Sequence, residues 1–175
     1  MQNTNRNKEI IVTENTGTIA PEHGPAHNFQ RTAKWLAACG KLAGNDEHLS
    51  TQIGVHLEEM SEFLRTIYVE SNTGLTSMAL QETAAILDAI GANIKLGHAK
   101  AIIHDREAAL DALCDCEVTG NGVAFLAAMD KPEGDKRTLD SNDSKFNADG
   151  TPVILEGGKV GKSELFKRAV YEDLV

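Results

Sequence analysis

Apolar side chains recur along residues 49–67 at helical intervals. Leu49, Ile53, Leu57, Met60, Leu64 and Ile67 are spaced by four, four, three, four and three residues. Such a stripe marks an amphipathic helix, predicted here over 48–71 with Asp46 or Ser50 placed to cap its start. A second stripe, Leu80, Ala84, Leu87, Ile90 and Ile94, predicts a helix over 75–96 that Gly97 ends. A shorter helix is predicted over 28–40, stopping at Gly40, and a fourth over 104–129. Gly120 and Gly122 interrupt the fourth, marking a close helix approach or a kink. No proline occurs from Ala26 to Lys131. Proline breaks helix interiors, so punctuation and periodicity agree.

Beyond Pro132 the pattern changes. A short helix is predicted over 136–142, followed by an Asp149-Gly150 turn signal. The run Val153–Leu155 then has Lys159-Val160 as a partner for a small hairpin. The expected architecture is all-α: a four-helix-type bundle over 28–131, preceded by a polar arm over 1–27. A C-terminal extension over 132–175 is expected to close over the bundle's site.

A chain of 175 residues suits one domain with a substantial core. No apolar run is long enough to cross a membrane, and the polar start Met1–Asn7 lacks the apolar region of a secretory leader. The three cysteines, Cys39, Cys114 and Cys116, fit neither a disulfide framework nor a C-x-x-C site. Free thiols in a reducing cytoplasm are the expectation.

Charge changes the picture more. The net charge of −9 argues against a nucleic-acid polymer as partner. The acid surplus is also local: residues 42–130 hold 14 acidic side chains and only Arg65, Lys95, Lys100 and Arg106 as bases. Glu58, Glu59 and Glu62 share the face of the second helix opposite its apolar stripe. Glu58 and Glu62, four residues apart, repel unless a cation lies between them. Glu107, Asp111 and Asp115 form a stripe on the fourth helix, in a stretch from Ala108 to Cys116 that is otherwise apolar all round. A helix apolar on every side is ordinarily buried. Buried carboxylates need a partner, a metal or a shifted pKa. Four bases cannot neutralise fourteen acids, so a divalent cation is the expected partner. Oxygen-only ligands favour Mg²⁺, or Mn²⁺, over zinc.

Gly161-Lys162-Ser163 has the ending of a P-loop but lacks the glycine the motif requires at Glu156. Lys145, Lys159 and Lys162 nonetheless offer cations for phosphate oxygens at the bundle's mouth. None of the six histidines forms an H-x-x-x-H pair, and Trp35 is expected in the core rather than as a stacking platform.

Leu57-Glu58-Glu59-Met60-Ser61-Glu62 resembles the E-E-x-x-E motif of the MazG-like all-α nucleoside triphosphate pyrophosphohydrolases. Leu110-Asp111-Ala112-Leu113-Cys114-Asp115 resembles their second acidic motif. Ser141-Asn142-Asp143-Ser144-Lys145-Phe146-Asn147-Ala148-Asp149-Gly150 and Gly158-Lys159-Val160-Gly161-Lys162 resemble an extension found in a bacterial and phage subgroup. The resemblance implies a homodimer or homotetramer that hydrolyses a nucleoside triphosphate between its α and β phosphates, using Mg²⁺. It implies Glu58, Glu59, Glu62 and Asp115 as metal ligands, with Asp111 a further candidate. It makes Ser144, Lys145 and Lys162 candidates for phosphate contact, and Glu59 the candidate for orienting water. The sequence departs from the family at Ala112, where many members carry an acid, and in Tyr171-Glu172-Asp173-Leu174, which lacks the family's proline. An all-α dUTPase-type enzyme and a catalytically silent helical binding module are the alternatives.

Overall fold

A computed structural model describes residues 25–70, 77–155 and 159–175. Among the described residues the chain is all-α, with five helices: α1 (Pro25–Ala38), α2 (Asp46–Arg65), α3 (Ser77–Lys95), α4 (Arg106–Leu126) and α5 (Lys131–Asp143). Local chemistry sets their limits. Pro25 opens α1, a position where its missing N–H is no loss. Asn45, rather than Asp46 or Ser50, caps α2: its side-chain oxygen accepts from the Glu47 and His48 amides at 3.0 and 2.9 Å. Asp105 caps α4 in the same way, so His104 lies just outside that helix. Gly97 follows α3 with φ +74, a left-handed position that favours glycine. Helix α5 starts from the Asp130 cap with Pro132 in its first turn and is longer than the pattern indicates. The 1–27 arm lies outside the described residues except for the start of α1.

Two helix pairs organise the molecule. Helices α2 and α3 run antiparallel and touch through small residues. Gly54 and Gly91 pass so closely that a Cβ built on Gly91 would lie 2.7 Å from the Gly54 carbonyl oxygen. The fully buried Ser61 hydroxyl donates to Ala84 O at 2.9 Å. The contact face of α2 is therefore Ser50-Gly54-Ser61, about a quarter turn from the leucine stripe that the periodicity picks out. Ion pairs Arg65–Asp88 (2.6 Å) and Lys95–Glu58 (2.5 Å) flank that contact.

The second pair joins opposite ends of the sequence. Helices α1 and α5 lie side by side and run parallel. Arg31 reaches Asp140 and Asp143 at 2.8 and 2.5 Å, and the Trp35 indole N–H donates to Asn142 O at 2.9 Å. The extension beyond α5 folds into a hairpin-like arch, with bridges Phe146–Pro152 and Ile154–Val160 as the pattern predicts. Gly161 is buried within it; a Cβ there would meet Val153 at 2.9 Å. The C-terminal segment is pinned on α5 by a bidentate Arg137–Asp173 pair and by Asp130 N donating to Leu174 O at 2.9 Å.

Helix α4 departs from expectation. Its apolar composition predicts burial, yet among the described residues α5 is the one helix it packs on, and Ala124 is its one buried residue. Leu110, Leu113, Val118, Val123, Phe125 and Leu126 are all at least half exposed. Among the described residues the buried apolar side chains of the whole chain are just Ala84, Ile94 and Ala124. The bundle therefore remains open along α4.

Candidate functional site

Helix α2 carries three acids in three environments. Glu58 is half-buried and turned toward α3, where Lys95 Nζ donates to both of its carboxylate oxygens at 2.6 and 2.5 Å. Glu62 is exposed on the outer face. Glu59 lies between these extremes. It is reached by solvent, but partial enclosure raises its carboxyl above the ordinary glutamate range, and repulsion from Glu62 and Glu58 adds to this. Lys145 and His56 oppose the shift by attraction.

Lys145 reaches this neighbourhood from just beyond α5. Its Nζ donates to Asn142 Oδ1 at 2.7 Å and lies 5.7 Å from the centre of the Trp35 ring. Burial lowers the Lys145 pKa below the ordinary lysine value, and repulsion from Lys162 lowers it further. Cys39 and Glu59 counteract that through attraction. Lys162 is exposed, with its Nζ 4.4 Å above the Phe166 ring. Ser144, a predicted phosphate contact, is tied into the chain itself. Its hydroxyl donates to Ser141 O at 2.7 Å and accepts from the Lys167 amide at 2.8 Å, stitching the tail to the end of α5.

Glu59 also lines an open pocket of about 650 Å³ between α2, α4, α5 and the C-terminus. Met60, Phe63, Val123, Met129 and Leu174 make its walls apolar, and His56 stands at its edge. A second pocket of about 510 Å³ separates the starts of α2 and α4 and is backed by α1. Together the two pockets form a gap between α2 and α4.

That gap decides the fate of the predicted carboxylate cage. Asp111 and Asp115 are exposed on α4 and do not join Glu58, Glu59 and Glu62. No cluster of three or more potential ligands exists among the described residues. Within one chain the acids therefore do not fit a metal: Glu58 is neutralised by Lys95, and the α4 acids stand apart. No protein-family model, curated protein or solved structure matches this chain. The site's chemistry therefore rests on its own geometry.

Pairwise spacing within α2 marks out the acids, but it does not identify the residues that tune them. Lys95, which ties down Glu58, and His56 and Lys145, which lean on Glu59, were not singled out together with those acids by any short-range motif. Trp35, expected in the core, is only half-buried and packs on Phe146 with ring centres 6.0 Å apart and planes 9° from parallel.

Proposed function

We propose that this chain is a homo-oligomeric, Mg²⁺-dependent nucleotide pyrophosphohydrolase of a reducing, cytoplasmic compartment. It would convert a nucleoside triphosphate and water to a monophosphate and pyrophosphate. The observation that carries the reading is Glu59: a carboxylate of raised pKa lining a mostly apolar pocket of about 650 Å³. A pocket of this volume lies in the range that accepts small organic ligands. Glu59 is suited to accept a proton from attacking water, because raising a carboxyl toward neutrality improves it as a base. Lys145 and Lys162 supply positive charge for the oxygens of a polyphosphate. Free Cys39, Cys114 and Cys116 suit the compartment.

A second copy of the chain completes the proposal. Helix α4 is 21 residues long, or about 31 Å at 1.5 Å per residue. Exposed apolar patches on this scale mark association surfaces. The walls of the gap between α2 and α4 are mostly apolar, and in this reading a partner's α4 covers them. Were a partner's Asp111 and Asp115 to meet Glu59 and Glu62 there, they would supply the shared carboxylates for Mg²⁺ that one chain does not bring together.

The test is a panel of ribo- and deoxyribonucleoside triphosphates assayed for pyrophosphate release with and without Mg²⁺. The expected result is Mg²⁺-dependent release from at least one, lost in Glu59→Gln and Asp115→Asn. Val118→Glu on α4 is expected to yield monomers in sedimentation and to abolish release. Pyrophosphate release by a monomeric Val118→Glu protein refutes the shared site, and no release from any nucleotide refutes the activity.

A further inference from the structure

We infer that Trp35 is a positioning residue for the Lys145 ammonium, holding it in place from a helix more than a hundred residues away in sequence. The inference rests on the reading of Lys145 as a phosphate contact. Lysine carries a compact charge on a flexible four-carbon stem, and without restraint its head wanders in water. Here the head is restrained from two sides. Trp35 offers its ring face at 5.7 Å, within the distance at which a ring quadrupole attracts a cation. Asn142 Oδ1 accepts from Nζ at 2.7 Å.

These restraints are coupled through the indole. The Trp35 N–H donates to the backbone carbonyl of Asn142 at 2.9 Å, so the ring that faces the ammonium also fixes the residue that accepts its hydrogen bond. Phe146, next to Lys145, stacks near-parallel on the same ring and fixes the backbone on the lysine's other side. Among the described residues no carboxylate lies within ion-pair distance of Lys145. The charge is therefore placed by an aromatic face and a neutral amide, and remains free to meet an anion. A cation pre-placed in this way binds without first losing its rotamer freedom.

Two measurements on the full-length chain test this. In the first, lysines are reductively ¹³C-methylated and the Lys145 signal is assigned by its absence in Lys145→Arg. A ring-current-shifted Lys145 signal is expected in the wild type and in Trp35→Phe, and an unshifted one in Trp35→Leu. An unshifted wild-type signal overturns the inference, whatever the activity.

In the second, inorganic tripolyphosphate binding is measured by calorimetry with Mg²⁺ present. Trp35→Leu is expected to weaken it about tenfold and Trp35→Phe by no more than about threefold. In a Lys145→Ala background Trp35→Leu is expected to have no further effect. An equal loss in both backgrounds shows a merely structural tryptophan and overturns the inference. Should Trp35→Leu fail to fold, Asn142→Ala replaces it: it keeps the indole's carbonyl acceptor, and unchanged tripolyphosphate affinity overturns the inference. If the wild type binds no tripolyphosphate, the phosphate-contact reading of Lys145 fails, while the spectroscopic arm still decides the role of Trp35.

Discussion

Replacing Gly91 by alanine opposes two terms of known sign. In an exposed helix interior the change favours folding by about 1 kcal/mol, because alanine loses less backbone freedom. At Gly91 the new methyl would stand 2.7 Å from the Gly54 carbonyl oxygen and 3.1 Å from Glu58 Cγ. The first neighbour is backbone of the facing helix and can retreat only if α2 and α3 move apart. Forcing atoms into a packed contact costs typically 1–3 kcal/mol. Separation also stretches the Ser61–Ala84 hydrogen bond and the Lys95–Glu58 pair. The clash and the stretched contacts together outweigh the gain, and a net loss of up to about 2 kcal/mol is expected.

Gly134→Ala in α5 is the matched control. There the methyl meets Leu174 and Tyr171 at 3.9 and 4.0 Å, an ordinary contact, so the propensity gain survives. Urea denaturation of both variants at one protein concentration measures the contrast. Gly91→Ala should lower the midpoint and Gly134→Ala raise it, with unchanged slopes. A Gly91→Ala protein as stable as the wild type refutes the close crossing of α2 and α3.

Three further outcomes follow from individual contacts. Asn45→Ala removes the acceptor for two α2 amides and should cost about 1 kcal/mol in thermal unfolding, whereas Asn45→Asp should keep most of it. Glu59 has a folded pKa above its unfolded value, so the native state holds its proton longer, and the charged form opposes folding as pH rises through that window. Glu59→Gln should thus raise the melting temperature at pH 7, with the gain vanishing below the ordinary glutamate value of 4.5; an equal gain at pH 3 contradicts the enclosure. Asp173 is held below its ordinary pKa by Arg137, so the tether is present above the usual aspartate range and lost as pH falls through the lowered value. Asp173→Asn should accelerate amide exchange of Asp130 and Leu174 while leaving α2 and α3 protected; uniform acceleration would show that the tail supports the whole fold.

The sequence by itself determined the helices. Periodicity, a proline-free span and terminal glycines placed α2, α3 and α4, because those signals are local and act within a turn or two of the chain. It also located the acids of α2, the arch around Ile154 and Val160, and the lysines beyond α5. It could not decide what each helix faces. The leucine stripe of α2 is the strongest periodic signal, yet the closest contact is made by Gly54 and Ser61, whose small size matters only when another backbone arrives opposite them. The same blindness applies to α4: apolar residues on all sides call for a cover, and composition is silent on whether the cover comes from the same chain or another. The parallel pairing of α1 with α5 joins Trp35 to Asn142 across 107 residues, beyond any local signal. Tertiary structure alone decided that Glu58 is paired with Lys95 while Glu59 lines the pocket beside α4. Identical carboxylates one residue apart differ because a helix turns each to a different neighbour.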